Sequence, residues 1–298
     1  MNPVRAGASH KAFSLDRIAA IASNTLTELT RLKVFYVLLL FACVLIGSSV
    51  LMARLSFQQE FQVLKDISLG AMSIFTSLLA IVATARMLPQ DTEDRIVYTI
   101  LAKPVPRFEY LLGKLLGVLL LLAISTLIMS ALFLALLYSR EHAALAATNR
   151  QMAGLPQEQL HAALQSIRDS TFNPDLLPGI SVIFLKACLL ASLTIFISTF
   201  ATSQIFTVVV TVFVYFIGHL QGRRAFWLQG HSAGWLARTF LAVVALLFPD
   251  LQLFNLADEV VAGAAIPLAI FLKTAALGAF YTVIYLLFAT AIFSAKEL

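Results

Sequence analysis

The residue types able to do chemistry are few in this chain, and they concentrate between Pro89 and Gly117, in the stretch PQDTEDRIVYTILAKPVPRFEYLLGKLLG. Asp91, Glu93 and Asp94 crowd one turn, which suits the positive end of a helix, and Arg95 follows. Ile96, Val97, Ile100 and Leu101 continue as a short apolar face beside Thr99. Pro89 is expected to end the preceding helix. Lys103 comes just before Pro104, and the residue before a proline is held out of the α region, so the short helix stops there. Pro104 and Pro106 stiffen the turn, and after Arg107 the segment Phe108 to Lys114 opens the next helix. A rigid helix bounded in this way is well shaped to take a push from outside the bilayer. The plain alternative is a charged loop with good turn chemistry.

Other chemistry is sparse. No G-x-x-x-x-G-K-[ST] phosphate loop is present, since Gly113-Lys114 lacks the upstream glycine and the following hydroxyl. The chain is therefore not expected to hydrolyse ATP or to be an enzyme, and no catalytic residue or metal site is assigned. His10, His142, His161, His219 and His231 are scattered. His142 and His161 could meet around a metal, but they read first as ordinary surface histidines. Cys43 and Cys188 lie in apolar stretches and read as small packed hydrophobes. Lys186 and Lys273 fall inside apolar runs, about six residues or ~10 Å from one end of each. Both are expected to snorkel to the interface. The sharper alternative is an outer vestibule that attracts an anionic headgroup or substrate.

The elements that must position these residues are membrane spans. The chain of 298 residues is 60% hydrophobic and 12% charged, with a mean hydropathy of +0.88. A soluble domain carries about a quarter charged residues. The net charge of +5 fits membrane orientation better than nucleic-acid binding. A span needs about 20 mostly apolar residues; Val34–Met52, Ile67–Ala85 and Leu115–Tyr138 qualify. The uncharged run from Ala187 to Gly222 is too long for one crossing. It divides at Ser198–Gln204 into spans near Ile180–Phe200 and Ile205–Leu220, and Leu268–Ser294 is the sixth. No carboxylate lies inside any span, which counts against a proton- or sodium-coupled carrier. The hydroxyls of Ser125, Thr126, Ser130, Ser192, Thr194, Ser198, Thr207 and Thr211 could pack helices together or line a path.

Before the first span, Leu15 to Lys33 repeats apolar residues at helical spacing: Leu15, Ile18, Ala22, Leu26, Leu29 and Leu32. This reads as an amphipathic helix lying along the membrane surface or on a partner. Residues 139–179 form a polar cap with helices at Glu141–Thr148 and Gln157–Arg168. Thr239–Pro249 is too short to span and reads as a broken, re-entrant helix dipping into the outer leaflet. The fold class is all-α: a polytopic membrane protein with six transmembrane helices, an N-terminal interface helix, a short charged helix between the second and third spans and a re-entrant outer segment before the last span. Residues 1–298 form one transmembrane domain, with a tail and interface helix at 1–33, the charged segment at 89–114 and the cap at 139–179.

The order of the acidic cluster, Thr99, Ile100-Leu101, Lys103-Pro104-Val105-Pro106-Arg107 and Tyr110-Leu111-Leu112-Gly113-Lys114 resembles the permease subunits of ATP-binding-cassette exporters. The match is to their type-two class, in the branch that includes copper-enzyme maturation permeases. Many members carry Gly before the threonine, where this chain has Tyr98. The stretches IASNTLTELTRLKVFYVLLLF and LLFPDLQLFNLADEVVAG are similar to the same family; the cap has no recognisable counterpart. The resemblance implies that the charged segment is a cytoplasmic coupling helix docking on a separate ABC ATPase, which would bind ATP and Mg, while this chain binds no cofactor. It implies a second permease copy, as homo- or heterodimer, contacts with membrane lipids, room for an extracytoplasmic accessory protein, and no nucleic-acid partner. Asp91, Glu93, Asp94 and Arg95 would contact the ATPase, Ile96, Ile100 and Leu101 would fill its groove, and Thr99 and Pro104 complete the motif. Arg107 and Lys114 would fix the segment at the inner headgroups. Pro249, Asp250, Phe254 and Asn255 mark the re-entrant segment.

Both termini would be cytoplasmic, in a multi-pass protein of the cytoplasmic (inner) membrane. Lys and Arg divide eleven inside against eight outside in this orientation, with Arg223-Arg224 against it; the resemblance settles the choice. The expected function is movement of an amphipathic substrate, driven by ATP hydrolysis in the partner. The alternatives are a membrane scaffold or assembly factor without transport, or a lipid-acting enzyme, which would need a cluster of acids, bases or metal ligands at one depth.

Overall fold

A computed structural model describes residues 14–55, 59–93, 106–152, 156–201, 203–220, 239, 249–255, 257–262 and 266–295. Every regular element among them is helical. In chain order these are α1 (Leu15–Thr30), α2 (Lys33–Leu55), α3 (Glu60–Glu93), α4 (Arg107–Gln151), α5 (Gln157–Thr171), α6 (Leu176–Phe200), α7 (Gln204–Leu220), a 3-10 turn (Leu251–Phe254), α8 (Ala257–Ala262) and α9 (Leu268–Ala295). Five stretches are long and apolar enough to cross a membrane, and they hold α2, α3, α4, α6 and α9; α7 is apolar but only 17 residues long. The long apolar run does break where expected. Ala201 is extended after α6, and the Ser203 hydroxyl accepts the Phe206 N–H at 3.3 Å to open α7.

The bundle is built around α6, 18 of whose 25 residues are buried. It packs against α9 and α3, with α4 and α7 completing the ring. Serine and threonine hydroxyls inside these helices mostly close onto their own backbone: Ser125 donates to Leu121 O, Thr126 to Leu122 O, Thr194 to Leu190 O and Thr211 to Thr207 O. Their polarity is thereby satisfied within one helix, as an apolar surrounding requires.

Three expectations are corrected. Pro89 does not end a helix: α3 runs through it to Glu93. Proline forfeits one backbone bond, and side-chain ties beyond it hold the helix on course. Arg86 Nε donates to Gln90 Oε1 at 2.5 Å, and Asp91 is bound to α4. Second, Glu141–Thr148 is not a separate cap helix but the far end of α4, whose 45 residues extend ~68 Å, well past a ~30 Å hydrocarbon core. The cap is this overhang plus α5. It is tied to α3 by Lys65 Nζ donating to Ser170 O at 2.8 Å and by the Arg140–Glu60 pair at 2.9 Å.

Third, the buried face of α1 (Ile18, Ala22, Thr25 and Leu29) is covered by the chain's own α4. Two glycines one turn apart make that possible. A Cβ at Gly113 would lie 2.8 Å from Ile21, and one at Gly117 2.6 Å from Thr25. Gly47, by contrast, faces open space. Gly117→Ala should therefore lose about 1–3 kcal/mol by overpacking and expose α1 to trypsin at Arg31. Gly47→Ala should be neutral or gain up to about 1 kcal/mol of helix propensity. Thermal unfolding in detergent and limited proteolysis of the two variants measure the difference.

Candidate functional site: the polar cluster at the helix ends

The end of α3, the start of α4, α1 and the end of α9 meet at one end of the bundle, and three of the five charged residues buried among the described ones, Asp91, Glu109 and Lys114, collect there. Asp91, in the last turn of α3, is 1% exposed. Its Oδ2 lies 2.7 Å from Lys114 Nζ and accepts the Tyr110 hydroxyl. Lys114, itself 5% exposed, also reaches Glu28 of α1 at 3.7 Å. A buried pair holds only if its remaining bonds are filled, and Tyr110 fills one. Tyr110 stands five residues before the Leu115–Tyr138 apolar segment. Burial, and then the Asp91 carboxylate, push its hydroxyl far above the usual phenol range, so it stays a donor.

A second tie fixes α1. Glu109, 1% exposed, receives Arg17 as a fork, Nε to Oε2 at 2.8 Å and Nη2 to Oε1 at 3.0 Å, and accepts the Ser14 N–H at 3.2 Å. Paired bonds of this kind fix orientation as well as distance. A third tie catches the carboxyl end of α9. Arg107 Nη1 donates to the carbonyls of Phe293 and Ser294 at 2.5 and 2.8 Å, with its guanidinium over the Phe293 ring. Tyr110 stacks on the same ring, its centroid 6.0 Å from that of Phe293. Cations at a helix C-terminus also suit the dipole.

The residues anticipated from sequence are thus placed unequally. Asp91, Arg107 and Lys114 come together, but each turns inward. The ATPase contact expected of Asp91 and the headgroup contacts expected of Arg107 and Lys114 are revised, because these groups are already paired within the chain. Glu93 closes α3. Asp94, Arg95, Ile96, Thr99, Ile100, Leu101 and Pro104 lie outside the described residues. Sequence reasoning missed Glu28, Glu109 and Tyr110 as partners and Gly113/Gly117 as the seat of α1. The signal was there: a G-x-x-x-G spacing and complementary charges, Arg17 and Glu28 on one helix, Glu109 and Lys114 on the other.

At the opposite end, Lys186 does not snorkel. It is 1% exposed and its Nζ donates to Ser73 Oγ on α3. Lys273 is exposed on α9. The two are not level: α6 Leu185 faces Gly278, and Phe196 stacks on Tyr285. That register sets Lys273 roughly two to six residues, about 3–9 Å, nearer the cap. They do not form one vestibule pair. His142 packs on Tyr138 with ring centroids 4.3 Å apart, and His161 is exposed.

Thr239–Pro249 lies largely outside the described residues, but the turn beyond it is well defined. Pro249 is buried; the Asp250 carboxylate accepts the Gln252 N–H at 2.9 Å, and Asn255 closes the turn. Leu251 sits on Gly218, Phe254 on Gly278 and Val260 on Gly179, each where a Cβ would collide. This segment is fitted into α6, α7 and α9.

Long apolar helices bundled in this way, with their charges gathered at one end, define an integral membrane protein. Residues 47–293 match the family described as ABC-2 family transporter protein, and the chain belongs to it: it is a permease of the ABC transporters. No curated protein gives a match.

Removing one member of the central pair leaves a buried charge unpaired, so Asp91→Asn or Lys114→Met alone should destabilise by about 3–5 kcal/mol. Together they should cost less than their sum, with a coupling of roughly 1–3 kcal/mol. A double-mutant cycle of unfolding in detergent reads both.

Proposed function

We propose that this chain is the membrane subunit of an ATP-driven exporter and that the polar cluster is the mounting of its coupling helix. Six crossings are assigned to α2, α3, α4, α6, α7 and α9, with both termini cytoplasmic in a cytoplasmic (inner) membrane. The observation that carries the reading is that α3 and α4, which lead into and out of the charged segment, are joined at its base by the Asp91–Lys114 pair. A segment held this way cannot be displaced without displacing both helices. Asp94 to Leu101 would then meet an ABC ATPase that binds ATP and Mg, with Glu93 and Arg95 supplying polar contacts.

The remaining ties set what moves. Arg107 binds the end of α9 and Glu109 binds α1, so a push on the coupling segment would reach four helices as one body. Two such permeases, side by side, would share the pathway, and the low polarity of the helices favours an amphipathic substrate. The re-entrant segment would close the outer side through Leu251 and Phe254. Tagged protein purified from native membranes should bring down an ABC ATPase, and replacing Glu93 and Arg95 together should lose it. Retention of the ATPase by that variant, or recovery of the native chain without one, would refute the coupling assignment.

A further inference from the structure

Between α3 and α7 lies a groove of about 460 Å³ lined by Ile74, Ser77, Leu78, Ile81, Val212, Tyr215, Phe216 and His219. Its size is within the range of ligand sites. Its walls are not uniform. The two helices run antiparallel, so Ile81 and Val212 close one end, while Ile74 and His219, the penultimate residue of α7, stand at the other. The apolar end is all aliphatic. The polar end has hydroxyls and an imidazole. Ile74 and Phe216, 53% and 59% exposed, form an outer lip, so the groove is entered from the side of the bundle.

Behind the polar end sits the one lysine buried in the apolar part of α6 among the described residues. Lys186 donates to Ser73 Oγ, and Ser77 Oγ donates to the Ser73 carbonyl at 2.7 Å. Through Ser73, these two bonds link the buried ammonium to Ser77 of the groove wall. His219 Nδ1 meets the Tyr215 carbonyl at 2.9 Å; a carbonyl only accepts, so Nδ1 carries the proton. The ring also lies within the fields of Lys186 and Asp250. Among the described residues, no carboxylate comes within 4.0 Å of Lys186. A buried ammonium with no described carboxylate that near is costly in a membrane, and an anion at the polar end of the groove would offset that cost.

We infer that the α3–α7 groove binds a membrane lipid with an anionic headgroup, its acyl chain along Leu78, Ile81, Val212 and Phe216 and its headgroup at His219 and Tyr215 in the field of Lys186. The site stands whether or not its occupant is transported, so it can fail without touching the coupling assignment.

The test is native mass spectrometry of the full chain, purified and exchanged into detergent with phosphatidylglycerol or phosphatidylcholine of the same acyl chains. The native protein should retain phosphatidylglycerol at least about fivefold better, the preference one cation near an anionic headgroup supplies. Lys186→Met should abolish the preference, and Leu78→Trp, which fills the groove, should reduce retention of both lipids. Should Lys186→Met fail to fold, His219→Phe carries the same test, with loss of preference expected. Equal retention of the two lipids by native protein, a preference that survives these substitutions, or cysteine cross-linking at Phe216 to a second copy of the chain would each overturn the assignment.

Discussion

The structure depends most on the contact of Asp91 with Lys114. It joins two helices that the sequence separates by the charged, proline-rich segment, and it does so where the apolar surroundings end and charge is tolerated. Neither group could be buried alone. Together, with Tyr110 donating to the same carboxylate oxygen and Glu28 approaching the ammonium, they turn a costly pair into a fixed joint. Once α3 and α4 are joined, Arg107 lies at the carboxyl end of α9 and Glu109 lies under Arg17 of α1.

The two ends of the bundle use different physics. At the charged end, position is set by directional bonds between long side chains. At the cap end it is set by shape, with Leu251, Phe254 and Val260 each resting where a glycine leaves room. Close packing against small residues is what holds helices together when lipid removes the hydrophobic drive between them. The seat of α1 combines both: Gly113 and Gly117 allow the approach, and the Arg17–Glu109 fork fixes its register.

Much of the architecture was legible because apolar length is a strong signal. Each uncharged run lies within a helix, although α3 and α4 continue well past theirs, and the break near Ser203 follows from a run too long for one crossing. Interior prolines and polar overhangs were not legible. Whether Pro89 stops a helix depends in part on the tie of Asp91 to Lys114, a tertiary contact, and α4 continues past Tyr138 because nothing in Ser139–Gln151 breaks a helix. The site was legible as a charged segment but not as a joint. Inside a single sequence, a lysine that pairs with a buried aspartate looks the same as one that meets a headgroup. Lys186 was misread as a snorkelling residue because depth along its own helix cannot reveal Ser73 on another.

The central claim is that α1, the end of α3, the start of α4 and the end of α9 move as one body with the coupling segment. Pulsed electron–electron resonance between spin labels at Ser23 of α1 and Ser294 of α9 tests it, with Cys43 and Cys188 replaced and the co-purified ATPase present. The account predicts a single, unchanged distance distribution with and without trapped nucleotide, provided that a label pair from Ser23 to Ser166 on α5 does shift. A nucleotide-dependent change between Ser23 and Ser294 would show that the joint opens during the cycle and would contradict the account.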